Sequence, residues 1–219
     1  MNKKIVAIDG PAGAGKSTVS KLVAHELGYT YIDTGAMYRA VALKVISQNK
    51  PVNEDLIVDV AKDIDIDLRY EDGITKVFTD GEEVTGKIRT PEVSKAASDV
   101  AKSGFVRQRL TELQRKMATR GGVIMDGRDI GTHVLPNANV KIYLTASVEE
   151  RARRRCEELK AKSLDVNIDE VARDIQARDK QDMEREIAPL KQAEDAVLLD
   201  TTGMSIDEVV NEILKLCSD

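Results

Sequence analysis

The sequence predicts an α/β protein in which helices cover both faces of a five-stranded parallel sheet, a three-layer arrangement. Two observations carry this prediction: short apolar segments alternate with longer segments of helical periodicity, and the first apolar segment runs into a glycine-rich loop. Short apolar strands that alternate with helices are typical of parallel sheets, which are buried on both faces. The predicted strands span residues 5–8, 29–32, 122–126, 140–144 and 196–200.

The loop after the first strand fits the pattern G-x-x-x-x-G-K-[ST], and apolar residues at helical spacing follow it. Strand, glycine loop and helix are the context that this motif requires. The glycines let successive N–H groups point into one concavity, where a helix N-terminus adds positive charge. A turn that only caps the helix is the alternative, which the full match disfavours. We expect ATP phosphates to bind at Gly10, Pro11, Ala12, Gly13, Ala14, Gly15, Lys16, Ser17 and Thr18.

The segment after the second strand changes character. Arg39 is expected to follow a loop after Asp33, with a helix continuing toward residue 48 and another over 54–62. Apolar and charged residues then alternate from residue 64, and Asp72-Gly73 and Asp80-Gly81 are hairpin turn signals. Residues 64–88 are therefore predicted to form a small antiparallel excursion of three strands.

Helix start signals organise the second half of the chain. Thr90-Pro91 is a typical helix start, and helices are expected over 91–102 and 104–119. Residues 147–150 and 205–208 both read Ser-x-x-Glu, the pattern of a capping box. The most charged part of the chain is 148–187, where a second helix is expected over 168–187.

Two arginines lie just beyond predicted strand ends, where open α/β sheets bind ligands. Arg39 follows the second strand, and Arg128 lies in Asp126-Gly127-Arg128-Asp129. Because a guanidinium can donate two parallel hydrogen bonds to a phosphate, both can hold a second phosphate opposite the glycine loop. Surface ion pairing with a neighbour such as Asp129 is the alternative, and the sequence leaves it open.

Asp33 and Asp126 each end a strand and are candidate Mg²⁺ ligands, directly or through water. In proteins with this loop a strand-end carboxylate commonly holds the metal, the loop hydroxyl ligates it, and the loop lysine reaches the β and γ phosphates. Here the loop hydroxyl is that of Ser17, and the loop lysine is Lys16. Asp126 fits the Walker B pattern of apolar residues followed by aspartate, and capping of the following turn is the alternative for either carboxylate.

The predicted helix over 168–187 carries Arg178, Asp182 and Arg185 at i, i+4 and i+7, on one face. A charged helix face is most often simply solvated. The functional alternative is a mobile lid that brings arginines onto a transferring phosphate, where positive charge and exclusion of water are needed.

Four segments together resemble those of the bacterial cytidylate kinases, which are nucleoside monophosphate kinases. The segments are the glycine loop, Asp33-Thr-Gly-Ala-Met-Tyr-Arg39, Asp126-Gly-Arg-Asp129 and Arg178…Asp182…Arg185. The resemblance runs from the first strand to the C-terminal helix. It implies phosphorylation of CMP or dCMP by ATP with Mg²⁺. It also implies a core at 1–33, 104–147 and 190–219, an NMP-binding lobe at 34–103 with an insert at about 64–88, and a lid at 148–189.

The resemblance also implies roles by position. Lys16, Arg128, Arg178 and Arg185 are the implied catalytic cations, and the acceptor phosphate binds at Arg39, Arg128 and Arg185. The cytosine edge is read by Ser98, Arg107 and Asp129, and the remaining contacts to CMP come from Thr34, Tyr38, Arg178 and Asp182. A carboxylate accepts from the cytosine amine but opposes the uracil carbonyl, and a buried unpaired acceptor costs about 1–3 kcal/mol. A preference for cytosine over uracil follows.

Composition narrows the alternatives. A net charge of −5, two Phe and no Trp argue against a nucleic-acid-binding module. No apolar stretch approaches a membrane span, and the N-terminus leaves no room for a signal peptide, so we expect a cytoplasmic protein and, by default, a monomer. Two alternatives stay open: another kinase with this loop, acting on UMP, AMP or shikimate, and a non-enzymatic nucleotide switch.

Overall fold

A five-stranded parallel sheet organises the chain in the computed structural model, which describes residues 3–71, 74–161 and 166–218. Its strands are β1 (Ile5–Asp9), β2 (Thr30–Asp33), β6 (Val123–Gly127), β7 (Val140–Thr145) and β8 (Val197–Asp200). They lie in the order β2-β6-β1-β7-β8, and every pair is parallel. The predicted fold class is confirmed.

Alternate residues of β1 face opposite sides of the sheet. Val6 and Ile8 pack in a cluster with α1 (Lys16–Leu27) and α8 (Ile206–Ser218), whereas Ala7 packs in a second cluster that includes the end of α5 (Gly104–Ala118). Helices therefore lie on both faces.

The expectation that every strand is covered on both faces is wrong for β8. Its Val197 and Leu198 are 44% and 56% exposed, although Leu199 packs against the cluster that contains α8. The physical reason is position, because β8 is an edge strand that pairs with β7 only.

The predicted antiparallel excursion is present as β3 (Ile66–Glu71), β4 (Ile74–Thr79) and β5 (Glu82–Glu83). The first strand begins two residues later than expected, and β5 is only two residues long. Asp80 and Gly81 both have positive φ, 51° and 82°, as a tight two-residue hairpin turn requires. The turn predicted at Asp72-Gly73 lies outside the described residues.

One apolar cluster joins this excursion to α2 (Thr34–Ile46), α3 (Glu54–Asp63) and α4 (Pro91–Val100). Val106 and Leu110 of α5 belong to the same cluster. The packing thus links the segment assigned to the NMP-binding lobe with the first turns of α5, and the division into three parts stays a prediction.

Two helix boundaries differ from the prediction. No loop precedes α2, because the Asp33 carboxylate caps its first turn, and Arg39 therefore lies within the helix. The charged segment forms α6 (Val148–Ala161) and α7 (Ile168–Glu184). Because α7 ends before the predicted residue 187, Arg185 lies beyond the helix, in an extended conformation (φ −63°, ψ 142°). Within the described ranges, no helix is both long and apolar enough to cross a membrane.

Only one predicted capping box is complete. Ser205 and Glu208 satisfy each other's backbone N–H groups, and the Ser147 hydroxyl accepts the N–H of Glu150. In the box at 147–150, the Glu150 carboxylate does not accept the N–H of Ser147, because it pairs with Arg153 and Arg154 instead.

Asp9, at the end of β1, holds the turn that follows β6. Its two carboxylate oxygens accept the N–H groups of Ile130 at 2.8 Å and Gly131 at 2.7 Å. Burial raises the pKa of Asp9 to about 6, although both hydrogen bonds oppose the shift. This carboxyl group therefore keeps its proton at a pH where an exposed aspartate has lost it.

The raised pKa predicts how Asp9 affects stability. Between the ordinary pKa of 3.8 and about 6, the folded state holds a proton that the unfolded chain has released, so acidification through this window stabilises the fold. Wild type should gain about 2 kcal/mol in free energy of unfolding, relative to Asp9→Asn, between pH 7 and about pH 4. Urea unfolding at a series of pH values measures this, and other titrating groups cancel in the difference. A difference that does not vary with pH would contradict the raised pKa.

Candidate active site

The glycine loop joins β1 to α1 and approaches the neighbouring strand closely. Gly10 has φ 151°, and an added Cβ would lie 1.9 Å from the Leu144 carbonyl oxygen, so no larger residue fits. Lys16 begins α1, and its buried Nζ donates to the carbonyl oxygens of Gly10 and Pro11, each at 2.8 Å. Burial, aided by the nearby Arg128, lowers the pKa of Lys16. The predicted phosphate-binding residues thus lie together in one loop and the first turn of α1.

Asp126 lies beside this loop and collects three hydroxyl groups. Ser17 and Tyr31 donate to its carboxylate oxygens, each at 2.9 Å, and Thr34 donates to its backbone carbonyl at 2.7 Å. Burial, and then the nearby Asp33, raises the pKa of Asp126 to about 6. The Ser17 hydroxyl and the Asp126 carboxylate are oxygen donors of the kind that Mg²⁺ prefers, and they are adjacent. Sequence reasoning missed Tyr31.

Asp33 has a different set of partners. It accepts the N–H of Ala36 at 2.8 Å, and Arg39 Nη2 lies 3.1 and 3.3 Å from its two oxygens. Arg89 Nη2, from the turn before α4, lies 3.8 Å from the same carboxylate. The structure therefore brings Asp33 together with two arginines, and no sequence pattern marked Arg89.

A chain of alternating charges lies next to these groups. Arg107 donates to Asp129 at 2.6 Å, and Arg185 donates to the other Asp129 oxygen at 3.2 Å. Arg185 also lies 3.6 Å from Asp182, which accepts from Arg128 Nε at 2.8 Å. Arg185 reaches both carboxylates although it lies beyond the end of α7. The structure thus brings together residues from α5, the end of β6 and α7.

The pKa values in this cluster depend on which arginines are paired with a carboxylate. Burial alone would lower the pKa of Arg128 and raise that of Asp182, but their mutual contact reverses both, so the pKa of Arg128 is raised and that of Asp182 is lowered. Arg178 differs: burial and the like charge of Arg128 lower its pKa to about 10. Its buried Nε has no hydrogen-bond partner among the described residues. Arg178 is therefore an undercompensated cation.

The three residues predicted to read the cytosine edge meet the cluster in different ways. Arg107 and Asp129 are a buried ion pair, and the Arg107 guanidinium carbon lies 5.5 Å from the centre of the Tyr38 ring. Burial raises the pKa of Tyr38 to about 12. Ser98 is linked to α7 through its backbone, because its carbonyl oxygen accepts from Gln181 Nε2 at 2.9 Å. Sequence reasoning did not anticipate this role of Gln181.

Two further residues that sequence reasoning missed contact the loop itself. Asp179 of α7 accepts the N–H of Ala12 at 3.0 Å, and Arg151 of α6 donates to the Ala12 carbonyl at 2.9 Å. The signal was present but weak, since Asp179 directly follows Arg178 within a long charged segment.

Comparison with known proteins shows the family of this chain. The family model for cytidylate kinase matches residues 6–219. The chain belongs to the cytidylate kinase family. A cytidylate kinase of Caldicellulosiruptor bescii is 57% identical over 217 residues, which cover 99% of this chain and 96% of that protein. One of Desulfitobacterium hafniense is 53% identical over 215 residues, which cover 98% and 92%.

Solved structures show the likeness in fold alone. The crystal structure of an uncharacterized protein from Eubacterium ventriosum covers 97% of each chain with a TM-score of 0.54 and 15% sequence identity. The resemblance noted in the sequence is thereby confirmed at the level of the family by the relatives, and at the level of the fold by this structure.

Replacing Arg178 with methionine should separate stability from activity. Because the substitution removes an undercompensated, partly buried charge, we expect Tm to rise by about 2–4 °C. We expect kcat/KM for nucleotide phosphorylation to fall about a hundredfold or more, since the resemblance implies that Arg178 is one of the catalytic cations. Thermal melts and a coupled ADP assay measure the two effects. Arg173→Met, on an exposed position of α7, is the matched control and should change neither. Unchanged activity of the Arg178 variant would contradict this role.

Proposed function

We propose that this protein transfers the γ-phosphoryl group of ATP to CMP and dCMP, forming ADP with CDP or dCDP. Membership of the cytidylate kinase family gives the reaction class, a phosphotransferase that acts on nucleoside monophosphates. The observation that carries the choice of base is the position of Asp129, whose buried carboxylate is held between Arg107 and Arg185 beside the arginine cluster.

The glycine loop and the arginines bind the phosphates of different nucleotides. The loop N–H groups and Lys16 bind the ATP phosphates, and Arg39, Arg128 and Arg185 bind the phosphate of CMP. Arg178 adds positive charge where the transferred group passes. Phosphoryl transfer depends mainly on positioning and electrostatic stabilisation, so no dedicated general base is required. The α6–α7 pair carries Arg178 and excludes water.

Ser17 and Asp126 would hold Mg²⁺, directly or through water. A bound Mg²⁺ neutralises charge on the β and γ phosphates. The assignment is supported by the 2.9 Å contact between the two side chains at the loop. Asp33 is already engaged by the N–H of Ala36 and by Arg39, so we assign it to positioning that arginine.

Base selection rests on hydrogen-bond polarity. The Asp129 carboxylate accepts from the exocyclic amine of cytosine, and Arg107 and Ser98 donate to the acceptors on the same edge. Thr34, Tyr38 and Asp182 complete the acceptor site. We also propose that the enzyme is a cytoplasmic monomer with no nucleic-acid or membrane partner. The net charge of −5 supports the absence of a nucleic-acid partner.

The direct test is ADP formation by the purified protein with Mg-ATP and separate acceptors. We expect rapid turnover with CMP and dCMP, weak turnover with UMP, and none with AMP or shikimate. Equal turnover of UMP would keep the kinase but remove the roles given to Ser98, Arg107 and Asp129. Tight ATP binding without turnover of any acceptor would instead support the nucleotide switch.

Asp129→Asn should relax the choice of base. The amide can donate to the uracil carbonyl, and it accepts from the cytosine amine less strongly than a carboxylate does. We expect the ratio of kcat/KM for CMP to that for UMP to fall about tenfold or more. Steady-state kinetics with both acceptors measures the ratio, with KM for ATP as the internal control. An unchanged ratio would mean that Asp129 only positions Arg107 and Arg185.

A further inference from the structure

The peptide of Ala12, within the glycine loop, is held from both sides by the α6–α7 pair. Asp179 Oδ1 accepts the Ala12 N–H at 3.0 Å, and Arg151 Nη1 donates to the Ala12 carbonyl oxygen at 2.9 Å. The same Arg151 nitrogen donates to the second oxygen of Asp179 at 2.5 Å. Both backbone polar groups of one loop residue are therefore bonded to a single ion pair.

This contact is dry and tightly packed. Ala12, Arg151 and Asp179 are each less than one-tenth exposed. A Cβ added to the next loop residue, Gly13, would lie 3.4 Å from the Arg151 Cβ. In such surroundings the hydrogen bonds to Ala12 are not shared with bulk water, so they constrain the loop strongly.

Charge explains why both partners are needed. A carboxylate beside a phosphate-binding loop would repel the phosphates, and Arg151 neutralises it through direct contact. Arg151 is itself anchored, because its Nε donates to the Ala146 carbonyl oxygen at the end of β7 at 2.9 Å. The pair can therefore orient the Ala12 peptide without adding net negative charge to the site.

The same region of α7 faces the acceptor cluster. Arg178 directly precedes Asp179, and Asp182, one turn later, accepts from Arg128. Gln181 contacts the carbonyl oxygen of Ser98. A displacement of this turn of α7 would therefore move the Ala12 contact together with the residues around the acceptor.

We infer that Arg151 and Asp179 are positioning residues of the kinase. They hold the glycine loop at Ala12 in the conformation that binds the ATP phosphates, and they link that conformation to the position of α7. The inference rests on the proposed function only for the identity of the reaction, because the loop contact concerns the nucleotide donor. A pair that served stability alone would join α6 to α7 without bonding to both groups of a loop peptide.

The first experiment compares Asp179→Ala and Asp179→Asn by calorimetric titration with Mg-ATP and, separately, with CMP. The alanine variant loses the Ala12 contact and the ion pair, and we expect its Kd for Mg-ATP to rise about 10- to 100-fold. Asparagine keeps one acceptor for Ala12 and should give a smaller rise. The Kd for CMP should change at least about fivefold less than that for Mg-ATP. Arg153→Gln, which breaks exposed ion pairs of α6, is the matched control and should leave both constants unchanged.

A double variant separates positioning from stability. Single substitutions leave one buried charge unpaired and can lower Tm for that reason, whereas Arg151→Met combined with Asp179→Leu removes both charges. We expect its Tm to lie above that of either single variant, because no buried charge is left unpaired, while its Kd for Mg-ATP stays raised about tenfold. If Tm and the Kd for Mg-ATP recover together, the pair is structural and the inference is overturned.

The titrations also separate this inference from the proposed function, because Mg-ATP binding is read without any acceptor. A wild-type protein that phosphorylates neither CMP nor dCMP would end the proposed function. A raised Kd for Mg-ATP in the double variant would support the loop contact in either case. An unchanged Kd for Mg-ATP in the Asp179→Ala variant would overturn the inference even if CMP is phosphorylated.

Discussion

The pairing of buried and partly buried arginines with aspartates constrains the whole site. Arg39 is held by Asp33 at the end of β2, Arg107 and Arg185 by Asp129 just after β6, and Arg128 by Asp182 on α7. An unpaired buried charge is costly, so each arginine must lie where a carboxylate can reach it. Because those carboxylates come from three separate elements, the positions of the sheet edge, α5 and α7 depend on one another. The outcome is a set of guanidinium groups fixed in place by carboxylates, and positive charge in a fixed arrangement stabilises a charged transition state with little reorganisation.

The carboxyl edge of the sheet supplies the fixed part of this arrangement. Parallel register places Asp33 beside Asp126, and Asp9 beside Gly127. Burial of carboxyl groups costs free energy, which appears as the raised pKa values of Asp9 and Asp126. Hydrogen bonds from backbone N–H groups and from hydroxyl groups offset part of that cost. The chain thus keeps buried carboxyl groups at this edge of the sheet at a cost in stability, a balance that is common at functional sites.

The α6–α7 pair is attached to the rest of the molecule largely through polar contacts. Its own apolar core is small and consists of Ala152, Cys156, Val171 and Ile175, with a few partly buried neighbours. Polar contacts therefore make a large share of its attachment to the rest of the molecule: Asp179 and Arg151 to the loop, Asp182 to Arg128, and Gln181 to Ser98. Such contacts are sensitive to charge on bound nucleotides, whereas a large apolar interface is not. This composition supports the role proposed above for the α6–α7 pair, which carries Arg178 and excludes water.

The sequence by itself determined the parallel sheet, the glycine loop and the antiparallel excursion, because periodicity, glycine spacing and Asp-Gly turns are local features. Resemblance also predicted Arg128, Asp129 and Asp182 as site residues, and the structure places all three in one charge cluster. Only the tertiary structure decided that Asp126, and not Asp33, lies against Ser17, that Arg185 acts from beyond the end of α7, and that β8 is exposed at the sheet edge. Arg89, Arg151 and Asp179 also emerged only there. The physical reason is that each of these facts is a contact between residues far apart in the chain, and many charged pairings are compatible with the same local pattern until packing selects one.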